Sequence, residues 1–217
     1  MVEPTRLPQM DKESAYLAIR QAIVTGQLAP GSPVSERELA ETYGISRTPI
    51  REILHRLQLN GLVEIYPQRG AFVRRLDPVA IMEIFEVREG IESLAAGLAA
   101  ERCSRSELAR IRERLERLEL SDDPATLESA TRMGSELHDA ICRWAGNSML
   151  SEVYARLKDQ ASLIRVLTRR SREIEESSRL AHLAICEAIG RGERGAAEEA
   201  MRNHLVQTRS LLLSRFR

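Results

Sequence analysis

The chain has 217 residues, 43% of them hydrophobic and only 4% aromatic, with 32 basic side chains balancing 32 acidic ones. That suits one large or two small domains, and the dominance of Ala, Leu, Glu and Arg makes a mainly α fold the expectation. No apolar run approaches the roughly 20 residues of a membrane span, no signal-peptide core follows Met1, and three scattered cysteines without a C-x-x-C spacing argue against a disulfide framework. A cytoplasmic protein with no membrane partner is expected. Zero net charge does not exclude nucleic acid, because DNA is bound by a basic face rather than by a chain total. Residues 1–76 carry ten Lys/Arg against eight Asp/Glu, and the rest 22 against 24.

Met1 to about Met10 is polar and Pro-containing and reads as a loose leader. A first helix is expected from about Asp11 to Thr25, with Tyr16, Leu17, Ile19, Ile23 and Val24 on its buried side, ended by Gly26. Pro30-Gly31 and Pro33 make a loop. Ser35-Glu36-Arg37-Glu38 has capping-box spacing and opens a short second helix, which Gly44 stops. About three residues later Ser46 can cap a third helix with Pro49 in its first turn. On that helix Ile50, Ile53, Leu54 and Leu57 form one apolar face, while Arg47, Thr48, Arg51 and His55 fall opposite. Leu62–Tyr66 and Ala71–Arg74 then read as two strands joined by the turn Pro67-Gln68-Arg69-Gly70. Helix, tight turn, helix and two-stranded wing make a winged helix-turn-helix, three helices in all.

Asp77-Pro78 marks a boundary, since Asp before Pro caps a helix with Pro at its first position. Two domains follow from this, residues 1–76 and 77–217, the second an all-α six-helix bundle. Its helices are expected at about 78–102, from the capping box Ser104–Glu107 to about Leu120, from Asp123-Pro124 to Ala145, at about 148–170, at 174–189, and from about Gly195 to the C-terminus.

Chemistry gathers in two places. Between Arg47 and Arg75 six arginines face two carboxylates, Glu52 and Glu64. In a helix-turn-helix the second helix enters the major groove, where arginine grips guanine through two hydrogen bonds. Arg47 and Arg51 are the base-reading candidates, and Ser46 and Thr48, beside free backbone N–H groups, suit phosphate. A bare solvated face is the alternative, which the caps and wing disfavour; for His55 plain exposure is the simpler reading. The second place is a trio of histidines on three bundle helices, each in an apolar stripe: His138 with Ile141 and Ala145, His182 with Ile185 and Ile189, His204 with Ala200, Met201 and Leu211. Converging, they would make a metal site; taken singly, each is a core histidine in need of a partner. Periodicity leaves that choice open.

Three motifs, G-x-L-x-P-G at Gly26–Gly31, S-R-T-P-I-R-E at Ser46–Glu52 and Q-R-G-x-x-V at Gln68–Val73, resemble the winged-helix domain of the GntR family of bacterial transcriptional regulators. The resemblance implies further DNA contacts from Arg37, Arg69 and Gly70. The C-terminal part is similar to the FCD ligand-binding domain in Arg88 with Glu92, Leu137-His138, Ala145-Gly146-Asn147, Ala181-His182 and Met201–Leu205. Many members bind a divalent metal through three histidines and an Asp four residues before the first of them. Here that position is Gly134. His138, His182 and His204 still suffice for Zn²⁺ or Ni²⁺ with open positions for water or an effector carboxylate, or the site is degenerate and binds an organic ligand without metal. Cys142 and Cys186, four residues after His138 and His182, are candidate replacement ligands or ordinary buried cysteines. Arg88 is either the cation that meets a carboxylate effector or the i,i+4 partner of Glu92.

The expected function is a ligand-responsive regulator that binds double-stranded operator DNA as a homodimer and senses a small carboxylate. The competing readings are a metal-dependent hydrolytic enzyme, against which Glu136 and Asp139 lie off the His138 face, and a constitutive dimeric DNA-binding protein.

Overall fold

The computed structural model describes residues 10–167 and 171–214. Among them the chain forms nine helices and one three-stranded sheet, and its contacts cluster into two compact units. The first takes the chain up to Asp77 together with Lys158–Leu167; the second takes Pro78–Leu157 and the remainder. The expected leader lies outside the described residues except for Met10.

In the first unit α1 (Lys12–Val24) is capped by Asp11, whose side chain accepts from the Glu13 and Ser14 amides. Ala15, Tyr16, Ile19 and Ile23 are buried, whereas Leu17, expected inside, is 51% exposed. It stands one residue beyond the Tyr16 stripe, on the helix's solvent side. The helix α2 (Glu36–Tyr43) starts at Ser35, which caps the Glu38 amide, and stops at Gly44, whose φ of 66° a residue with a Cβ adopts only at a cost. Three residues separate it from α3 (Arg47–Leu59). Ser46 occupies the N-cap position of α3 but makes no side-chain cap bond, contrary to expectation. Behind it Ile50, Ile53, Leu54 and Leu57 are all buried to 2% exposure or less, each contributing about 1.5–3 kcal/mol of apolar burial.

The wing is β2 (Val63–Tyr66) against β3 (Gly70–Val73), antiparallel with Tyr66 opposite Gly70. A two-residue strand, β1 (Pro33–Val34), pairs with the other edge of β3, giving the order β1-β3-β2 where two strands were expected. So short a strand has no periodicity to read. The segment Lys158–Leu167 completes this unit. Asp159, 4% exposed, receives both Nε and Nη2 of Arg20, and Gln160 donates to the Asn60 carbonyl at 3.3 Å.

The second unit contains α4 (Pro78–Arg102), α5 (Arg105–Glu116), α6 (Pro124–Trp144), the first half of α7 (Ser148–Leu167), α8 (Arg172–Arg191) and α9 (Arg194–Leu213). Six helices were expected here and six are present among the described residues; the expected ends at 170 and at the C-terminus lie outside them. The helix α4 packs most extensively on α9, where a Cβ added at Gly97 would meet the Glu198 side chain. The helix α5 ends four residues earlier than expected, at Glu116. Its capping box is not formed: Ser104 makes no cap bond, and Glu107 instead accepts from Trp144 Nε1 at 2.7 Å and from Arg143. Asp123 does cap α6 through the Ala125 amide.

Candidate functional site

The seven sequence-predicted DNA contacts are all exposed: Arg37 on α2, Ser46, Arg47, Thr48 and Arg51 at the N-terminal end of α3, Arg69 and Gly70 at the wing. They are held outward because the opposite faces of α2 and α3 are buried through Leu39 and the Ile/Leu stripe. Two of the arginines are engaged. Arg51 Nε donates to Glu36 at 2.8 Å across the helix-turn-helix, and Arg37 lies 4.0 Å from Glu41. Both are solvated pairs, worth about 0–1 kcal/mol each, so an incoming phosphate or guanine can displace them. The Arg69 guanidinium lies 5.9 Å from the Tyr66 ring, and Tyr66 itself meets Phe72 edge-on. At the wing tip Gln68 has a φ of 62°, left-handed for a residue that is not glycine.

The three histidines converge. His138 on α6, His182 on α8 and His204 on α9 are each 6% exposed, and their ligand nitrogens all lie within 4.8 Å of one another. His182 Nε2 stands 3.2 Å from both His138 Nε2 and His204 Nε2. A ring nitrogen carries either one proton or one lone pair, so His182 Nε2 can satisfy only one neighbour at a time. A cation among the three resolves that conflict. With Zn–N bonds of about 2.0–2.1 Å, ligand nitrogens on a tetrahedral zinc would lie roughly 3.3–3.4 Å apart, close to the two 3.2 Å separations from His182 Nε2. Burial, then His138, pushes His182 down to about 3, and burial with His182 and His138 puts His204 well below its ordinary value. Both are neutral lone-pair donors at neutral pH.

Around the trio stand Arg88 and Glu92, named from the sequence only as a pair or an effector cation, and Tyr154, which carried no sequence signal. Glu92 on α4 is fully buried and places Oε2 2.5 Å from His138 Nδ1, while its Oε1 receives Arg88 Nε at 2.6 Å. Burial pushes the Glu92 carboxyl upward, but Arg88 and His138 outweigh it and hold the group down at about 2. Arg88, 8% exposed, forms the i,i+4 pair through Nε. Tyr154 of α7 donates to Asp139 at 3.1 Å, its hydroxyl kept protonated by burial and by the Glu92 and Asp139 carboxylates.

Gly134 has a positive reason to be glycine. A Cβ there would lie 2.6 Å from His182 Cε1 and 3.3 Å from its Nδ1, so the imidazole occupies the space a larger residue would need. The replacement thiolates are not realised. Neither Cys142 nor Cys186 belongs to the ligand cluster, both are buried, and burial pushes the Cys186 thiol up to about 12 in the company of Arg112 and Glu116 of α5. One helical turn along a face moves a side chain past the point on which the imidazoles converge.

Comparison with known proteins decides the family. Residues 11–73 match the bacterial regulatory proteins of the gntR family, and residues 83–207 match the FCD domain. The chain belongs to the GntR family, with an FCD domain. An HTH-type transcriptional regulator of Streptomyces ambofaciens is 30% identical over 195 residues, 90% of this chain and 82% of its own length. The HTH-type transcriptional repressor RspR of Escherichia coli K12 is 26% identical over 90% of this chain and 86% of its own length. In fold, E. coli McbR/YncC is similar with a TM-score of 0.80 at 20% identity, covering 95% of this chain and 98% of that one. This GntR/FCD protein is thus a DNA-binding transcriptional regulator with an effector-binding domain, and its buried histidine trio could hold a metal ion.

Proposed function

We propose that this regulator binds a two-fold operator as a homodimer, reads it with Arg47 and Arg51, and releases or tightens its hold when a small carboxylate enters the histidine site of the FCD domain. The functional division falls at the start of α4, residues 1–76 for DNA and 77–217 for sensing and dimerisation. Ser46 and Thr48 meet phosphate at the N-terminus of α3, where free amides favour an anion, and Arg37, Arg69 and Gly70 add backbone contacts from α2 and the wing. A dimer doubles a recognition surface that alone spans few base pairs.

The observation that carries the sensing half is the convergence of three neutral, buried imidazoles. His138, His182 and His204 would hold Zn²⁺ or Ni²⁺, which supplies a Lewis-acidic point for a carboxylate in its open positions. Arg88, whose Nε is given to Glu92 and whose guanidinium carbon lies 4.9 Å from the Phe85 ring centroid, is the cation we assign to the same anion. An enzymatic reading is disfavoured by the neighbouring acids. Glu136 is paired with Arg114 at 2.7 Å and Asp139 accepts from Tyr154, so neither is poised as a general base.

A thermal-shift screen of small organic acids, with zinc, with nickel and with chelator, tests the reading. A carboxylate that raises the melting temperature only in the metal-loaded protein supports it. Acids that act equally well on the His182→Ala variant contradict it.

A further inference from the structure

We infer that Glu92 is the positioning residue of the histidine site, fixing His138 with Nε2 bare towards the metal and supplying from outside the ligand shell the negative charge that Gly134 cannot. This rests on the metal reading above and goes beyond it in saying how this chain holds such a site with three neutral ligands.

A deprotonated carboxylate only accepts hydrogen bonds, so Glu92 Oε2 at 2.5 Å requires the His138 proton on Nδ1. The remaining lone pair is then on Nε2, the atom that faces His182 Nε2 at 3.2 Å. Glu92 in turn cannot swing away. It is fully buried, and Arg88 holds its second oxygen at 2.6 Å. Carboxylates placed this way behind a metal-bound imidazole raise its basicity and fix its ring, and their loss costs about 10–100-fold in metal affinity. An aspartate at 134 would place its Cβ 2.6 Å from His182 Cε1, so it could enter only with a shift of that ring.

The test is zinc affinity measured on the full chain by competition with a chromophoric chelator, with helix content followed by circular dichroism. Glu92→Gln is expected to keep its helix signal and bind zinc about 10–100-fold more weakly. Zinc uptake indifferent to Glu92→Gln overturns this proposal alone. A wild type that takes up no zinc overturns the metal reading and this proposal together. Should Glu92→Gln fail to fold, the imidazole nitrogen NMR spectrum of zinc-loaded wild type decides. His138 bound through Nε2 with a slowly exchanging Nδ1 proton is expected; coordination through Nδ1 is the contrary result.

Discussion

Single residues in the bundle are under conflicting demands, and the conflicts are measurable. Gly134 and Gly90 are both helical glycines, where alanine normally stabilises by about 0.5–1 kcal/mol. At Gly90, exposed on α4, an added Cβ meets nothing within 4 Å, so Gly90→Ala should raise the unfolding free energy by about that amount in a denaturant titration. At Gly134 the Cβ runs into His182, so Gly134→Ala should lose the gain and weaken zinc binding. The metal-free site also predicts a pH dependence. His182 titrates near 6.5 when unfolded but at about 3 when folded, so the unfolded chain binds the extra proton in between. Stability is therefore present above pH 6.5 and lost as the pH falls towards 3, and Glu92, at about 2 against an ordinary 4.5, adds a loss of the same sign below pH 4.5. Melting temperatures of chelator-treated protein should drop from pH 7 to pH 5, and His182→Asn should flatten that drop.

At the scale of elements, two serines that look alike in sequence do different work. Ser35 caps the Glu38 amide at 3.3 Å, so Ser35→Ala should cost about 1 kcal/mol of stability. Ser46 stands at the start of α3 without a side-chain cap bond, so Ser46→Ala should leave the melting curve in place and weaken operator binding only. Ile53→Ala, in the fully buried stripe of the same helix, should cost about 2–5 kcal/mol. This contrast also marks what was legible beforehand. The Ile/Leu stripe, the Gly44 stop and the wing turn are local patterns whose geometry is dictated within a few residues, and they can be read directly. The Ser104–Glu107 box does not form because its glutamate meets Trp144, 37 positions away, a competitor no local window reveals. The same holds for β1, which exists only because β3 offers an edge, and for Glu92, whose partner His138 lies 46 positions on. The histidines themselves were legible as types on apolar faces, and their convergence was supplied by the resemblance. The cost of a Cβ at Gly134 depends on a ring from another helix.

For the whole molecule, the proposed sensing requires that occupancy of the histidine site and affinity for DNA be linked, since a ligand moves an equilibrium only by its difference in affinity for the two states. Couplings of this kind amount to about 1–3 kcal/mol, or about 5–150-fold in binding. The two ends are separable by mutation. Arg51→Ala should abolish sequence-specific DNA binding while leaving zinc uptake and the circular dichroism spectrum intact. His182→Ala should remove zinc uptake and leave a protein still able to bind DNA. The decisive measurement is the fluorescence-anisotropy titration of a duplex selected by the protein from random sequence, run on zinc-loaded wild type and on His182→Ala, each with and without a carboxylate that raises the melting temperature of the loaded protein. Linked sites predict that the carboxylate changes the operator affinity of wild type at least about 5-fold and leaves that of His182→Ala unmoved. Identical titration curves for wild type with and without the carboxylate would contradict the linkage.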